Sequence, residues 1–123
     1  MRDRNAVLQG LTLFKDLDAR VSVNEVIAFL YAAENEGLTV QDMADLAGMT
    51  QSTASRSLRA LGPIDSPWSQ APALGLVEAY LNPRDGRSHV VHLSPRGLQL
   101  RDRLDTIIRE AAPISGSASA KAA

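Results

Sequence analysis

Ser52, Ser55, Arg56 and Arg59 are spaced three and four residues apart. A helix turns about 100° per residue, so that spacing places all four on one face. An arginine fork donates two parallel hydrogen bonds, to a guanine edge or to a phosphate. Serine hydroxyls donate or accept singly, as do the flanking Gln51 and Thr53. The chemistry this face offers is recognition of a duplex nucleic acid, with Arg56 on a base and Arg59, a turn later, on phosphate. Little in the sequence competes with that chemistry. There is no cysteine, which removes disulfides, thiolate metal sites and thiol redox sensing. His89 and His92 lie three apart in a strand-like run and so point to opposite faces, away from a shared metal or proton relay. The carboxylates are scattered. The expectation is a protein with no metal, no cofactor and no enzymatic activity.

The elements that would carry this face have recognisable ends. Thr39 can cap a first helix through Val40, Met43, Ala44, Leu46 and Ala47. Gly48 can take the positive φ of a sharp turn. Thr50 can cap a second helix whose apolar stripe is Ala54, Leu58 and Leu61. Gln51, Ser52 and Thr53 then occupy its N-terminus, where free N–H groups favour a phosphate. Two helices of about 39–47 and 50–61 joined by a glycine turn form a helix-turn-helix.

Upstream, Asp3 to Leu17 reads as an amphipathic helix through Val7, Leu8, Leu11 and Phe14. Ser22 to Glu25 is a capping box that opens a second, strongly apolar helix ending at Gly37. Downstream, Pro63, Pro67 and Pro72 confine residues 63–72 to a loop around Trp68. Trp68 either plugs the edge of the core or marks a partner or backbone contact. Ala73 to Leu76 reads as a closing helical turn. Val77 to Leu81 and His89 to Leu93 read as two strands joined by Asn82 to Arg87, with Asp85-Gly86 as the hairpin signal. Arg84 and Arg87 make the tip basic, and Asp85 either holds Arg87 or caps the turn. Ser94-Pro95 starts the last helix, with a stripe of Leu100, Leu104, Ile107 and Ile108.

At 123 residues the chain suits one domain with an aliphatic core, since aromatics are only 4%. No apolar run reaches the ~20 residues that span a bilayer, and the N-terminus lacks the pattern of a signal peptide. A reducing cytoplasm and no membrane partner are expected. The net charge of −1 hides a polarity. Residues 1–49 hold four basic and eight acidic groups, while residues 50–109 hold eight arginines and five acids. The positive part contains the second helix of the pair and the hairpin. The fold class is α+β, mainly helical with a small β-hairpin, in the order helix, helix, helix, turn, helix, hairpin, helix. That order is a winged helix-turn-helix.

Three pieces in register resemble the MarR family of transcription regulators: Leu38 to Met49, Thr50 to Leu61, and the wing. The wing shows Gly75-Leu76-Val77, then Asp85-Gly86-Arg87, then Leu93-Ser94-Pro95-Arg96-Gly97. The resemblance implies a homodimer on a pseudo-palindromic operator of double-stranded DNA, usually as a repressor. It implies wing arginines in the minor groove, with Asp85 and Arg87 as the wing's acid–arginine pair, and it leaves a small-molecule effector open. The DNA-binding set is then Thr50, Gln51, Ser52, Thr53, Ser55, Arg56, Arg59, Arg84 and Arg87. The division expected is a dimerising helix in 1–20, the winged core in 21–94, a second dimerising helix in 95–112 and a disordered tail in 113–123. The sequence differs from the resemblance in its long 63–72 loop and its short terminal helices. A winged helix that binds an acidic protein, or a phage or plasmid regulator without an effector, fits the same residues.

Overall fold

The computed structural model describes residues 4–115. Five helices and three short strands run in the order α1 (Ala6–Leu17), α2 (Val23–Glu34), β1 (Leu38–Thr39), α3 (Val40–Ala47), α4 (Gln51–Ala60), β2 (Val77–Leu81), β3 (His89–Leu93) and α5 (Pro95–Glu110). The expected winged order is present, with one strand more than the sequence suggested. Strand β1 pairs antiparallel with β3 through Leu38 opposite Val91, giving the sheet order β1-β3-β2. Its two residues are too few to show alternation.

Local chemistry sets each boundary. Asn5 caps α1 by accepting from the Leu8 N–H at 2.8 Å, so this helix starts at Ala6 and not at Asp3. The Ser22 and Glu25 capping box closes in both directions. Thr39 and Asp42 form a second such box at α3, which the sequence reading missed because aspartate replaces the usual glutamate. Gly48 ends α3 at φ 66°, ψ 33°. Ser94 caps α5 through the Gly97 N–H at 3.0 Å, with Pro95 in the first turn. Residues 73–76 form no helical turn. Ala73 and Gly75 take positive φ values, and the segment runs back along the end of α4. The expected tail lies mostly in residues 116–123, outside the described residues.

The core gathers at the meeting of all these elements. Phe14 meets Phe29 edge-on at 5.5 Å, and Met43, Leu58, Leu61, Leu76 and Val91 are fully buried between helices and sheet. The stripe of α4, Ala54, Leu58 and Leu61, is wholly inside. Several residues of the expected apolar stripes are exposed: Val7, Leu8 and Leu11 on α1, Leu46 on α3 and Ile108 on α5. Helices α1 and α5 lean on each other where Gly10 lets the Leu104 methyl within van der Waals reach.

Two glycines answer to different constraints. Gly97 lies against the backbone carbonyl of Leu76, where a Cβ would collide with the oxygen. Gly48 has open space and needs only its positive φ. Gly97→Ala is therefore expected to cost about 1–3 kcal/mol from overpacking. Gly48→Ala should cost about 1 kcal/mol from backbone strain alone. Urea unfolding of both variants checks the ranking, and an equal loss would contradict it.

Candidate nucleic-acid interface

Helix α4 turns its apolar stripe inward and so must turn its polar face out. Gln51, Ser52, Arg56 and Arg59 are exposed, and Thr53 and Ser55 are half-buried at the flanks. Thr50 accepts from the Thr53 N–H at 3.1 Å, which starts the helix and leaves the N–H groups of Gln51 and Ser52 pointing out of its first turn. The Arg56 guanidinium donates to Ser52 Oγ at 2.8 Å, one turn back, so it is held along the helix. Ser57, on the inner side, donates to the Thr53 carbonyl at 2.7 Å and leaves no buried hydroxyl unpaired there.

The wing is β2 and β3, in register from Val77 opposite Leu93 to Leu81 opposite His89. Its strands have the expected bounds, and the turn cluster expected at 82–87 extends by one residue to Ser88. The tip is a seven-residue loop closed by the Asn82 N–H on the Ser88 carbonyl at 2.8 Å. Two side chains build it. Asn82 Oδ1 accepts from the Arg84 N–H at 3.0 Å, and Asp85 Oδ1 accepts from the N–H groups of Arg87 and Ser88 at 2.8 and 3.0 Å. Asp85 Oδ2 takes the Ser88 hydroxyl. Of the two roles open to Asp85, the geometry shows the turn cap. It binds the backbone of Arg87, and the guanidinium of Arg87 stays free. Asn82, already in the expected turn cluster, and Ser88, just beyond it, shape the tip with Asp85.

This arrangement leaves charge facing solvent. Among the described residues the ion pairs join Arg20 to Asp18, His92 to Glu36 and Arg101 to Asp102. Arg56, Arg59, Arg84 and Arg87 pair with no carboxylate there. Asp85 is the one acid at the tip, and its charge is spent on backbone donors. The Arg87 N–H first, then the Ser88 N–H and hydroxyl, hold its carboxyl below the usual aspartate range.

Reader and wing are joined by the 63–72 loop and the segment after it. The Gln70 N–H donates to the Arg59 carbonyl, Leu74 to Ala60, Gly75 to Gly62, and both Leu76 and Val77 to Leu61, all at 2.8–3.0 Å. Trp68 of the loop packs against the core edge, as the plugging alternative has it. The histidines part as expected. His92 meets Glu36 at 3.3 Å on one face of the sheet, and His89 lies by Trp68 on the other. Among the described residues no three His, Asp or Glu side chains gather as a metal site would need.

No protein-family model matches the chain, and no curated protein matches it. Solved structures do. S. aureus MepR, in a complex with DNA, is similar with a TM-score of 0.65 at 22% identity, over 85% of this chain and 74% of that one. A MarR transcriptional regulator from Methanosarcina mazei Go1 gives 0.58 at 19%, over 74% and 58%. A MarR-family regulator from Silicibacter pomeroyi gives 0.55 at 30%, over 81% and 61%. The chain thus spans under two thirds of the latter two. These likenesses and the geometry above define a winged helix-turn-helix protein. Its particular form is the MarR-type winged helix.

The tip gives a test in which charge and structure pull opposite ways. Asp85→Ala removes a negative charge beside the arginines, which by charge alone strengthens affinity for DNA. It also removes the acceptor that shapes the tip, so the expected result is weaker binding. Tighter binding would show that the cap is dispensable. The depressed carboxyl of Asp85 adds a pH test. Its stabilisation of the tip is present above the unfolded carboxyl's pKa and is lost as pH falls through the lower folded value. The Arg87 and Ser88 amide proton shifts should hold down to about pH 4 and move together below it. A midpoint above that would contradict the cap.

Proposed function

We propose that this chain is a sequence-specific regulator of transcription that binds double-stranded DNA as a homodimer. The observation that carries the proposal is the pairing of two exposed basic elements, α4 and the wing tip, on one backbone-bonded unit. Helix α4 enters the major groove, with Arg56 on a guanine edge and Arg59 on phosphate. Thr50, Gln51, Ser52, Thr53 and Ser55 line the backbone and base edges around its N-terminus. Arg84 and Arg87 follow the minor groove or its phosphates. MepR was solved on DNA, which supports this placement.

The dimer rests on a separate surface. Val7 and Leu11 on α1 are 59% and 48% exposed, and Ile108 on α5 is 65% exposed. With Gly10, Val26, Leu30 and Ile107 they line an apolar groove of about 340 Å³. Apolar surface gathered in this way favours a second copy of the chain. The division into dimerising arms, 1–20 and 95–112, around a DNA-binding core, 21–94, follows from it. A two-fold dimer puts the two α4 helices in successive major grooves, roughly 34 Å apart. Binding of this kind over a promoter excludes polymerase, which makes repression the simplest output. No described helix is long and apolar enough to cross a membrane, and the proposed site of action is the cytoplasm. An apolar effector has the same groove available.

Selection from a random duplex pool tests the reading. A palindromic motif supports it. Failure to bind any duplex at micromolar protein and low salt favours an acidic protein partner instead. On the selected site, Arg56→Ala is expected to lose about 1–3 kcal/mol and relax one base position. An equal loss on random DNA would remove Arg56 from base reading. Arg84→Ala should weaken specific and random binding alike and lower the salt slope by about 1. Leu11→Glu should turn the dimer into a monomer in light scattering, and an unchanged mass would move the interface elsewhere.

A further inference from the structure

The wing extends beyond the core that supports it. On its inward row the cross-strand pairs are Val77 with Leu93, Ala79 with Val91, and Leu81 with His89. Val77, Val91 and Leu93 are buried, whereas Leu81 at the far end is exposed. The 63–72 loop reaches that last pair. Trp68 sits with its ring 5.9 Å from the His89 ring, tilted by 42°. It also lies on Gly62, where an added Cβ would come within 3.0 Å of the indole and closer still to Ser69 Oγ. Gly62 is the second residue past α4, and His89 is the residue after the tip loop. One side chain therefore spans from the end of the reading helix to the root of the wing tip. The loop is held to that task by Trp68 N–H on Ser66 Oγ at 3.2 Å and Gln70 N–H on the Arg59 carbonyl at 3.0 Å.

We propose that Trp68 is a positioning residue for the wing: it braces His89 against Gly62 and so sets the angle at which Arg84 and Arg87 are presented relative to α4. This rests on the DNA-binding reading given above. An indole is a rigid, flat spacer with only two side-chain torsions, which suits a fixed separation. The brace explains why a long proline-rich connection is compatible with a wing that must act in register with the reader. Gly62 is then required for close approach, since a side chain there would meet both the indole and Ser69 Oγ.

The test is a double-mutant cycle on the full chain with duplex DNA, with amide exchange as the DNA-free measurement. Trp68→Ala should weaken binding about tenfold in the native background and less than about twofold when Arg84 and Arg87 are already alanine. Trp68→Phe should recover most of the loss. In the free protein, Trp68→Ala should speed exchange at Asn82 and Ser88, whose N–H groups close the tip loop, while the amides of α2 and α4 keep their protection. An equal loss of affinity in both backgrounds would overturn the proposal and make Trp68 a direct DNA contact or a general core residue. Unchanged exchange at the wing root would overturn it whether or not the protein binds DNA. A native chain that binds no duplex, with exchange altered as expected, would instead defeat the DNA-binding reading and leave the brace standing.

Discussion

The last carbonyls of α4 constrain the rest of the molecule. A helix ends with carbonyl groups that have no partner in the helix, and here they end inside the protein, beside the fully buried Leu61 and Leu76. A buried carbonyl without a donor costs about 1–3 kcal/mol. The chain therefore returns to them. Arg59, Ala60, Leu61 and Gly62 each accept from the segment 70–77, and Leu61 accepts twice. By the time this segment becomes β2 its position relative to α4 is set to within a hydrogen bond. The other elements are placed by that junction. Ser94 donates to the Gly75 carbonyl and its N–H to that of Leu76, so β3 hands over to α5 at the same spot. Gly97 makes the approach sterically feasible.

Such a junction ties two weak signals together. Exposed arginines on a helix are ordinary, and so are arginines at a hairpin tip. Backbone bonds tie the helix that carries Arg56 and Arg59 to the strand that leads to Arg84 and Arg87, and the proposed function has the two pairs act on one duplex. The charge polarity of the chain runs the same way: the acids collect on residues 1–49, which supply the first three helices, and the arginines on residues 50–109, which supply α4, the wing and the last helix. A net charge of −1 is thus compatible with affinity for a polyanion. The wing tip carries the principle to its limit. Its one carboxylate, Asp85, is consumed by the backbone that it shapes.

What was legible in the sequence was what depends on near neighbours. Capping residues, the Gly48 turn, the α4 stripe and the two hairpin strands rest on contacts within a few positions, and the structure has them where the residue types place them. Strand β1 was illegible because two residues cannot display a period, and its pairing with β3 spans some fifty positions. Leu46 belongs to the apolar stripe of α3 by spacing, yet it is exposed, because spacing says which residues share a face and not how far the neighbouring elements cover it. The span of the wing tip was legible, but its inner bonds were not, because Asn82, Asp85 and Ser88 cooperate through side chains that no spacing rule displays. The course of residues 63–76 was the least readable. Prolines say that it is not a helix or a central strand, but its path is dictated by carbonyls of α4 that no local pattern reveals.

The central claim is that α4 reads the major groove while the wing, fixed to it, grips alongside. Methylation protection on the selected duplex tests this most directly, since dimethyl sulfate attacks guanine N7 in the major groove and adenine N3 in the minor. The account predicts two clusters of protected guanine N7 positions about one helical turn apart. One position in each should regain reactivity in Arg56→Ala, with minor-groove protection flanking the pair. Protection confined to the minor groove, or guanine protection indifferent to Arg56, would contradict it.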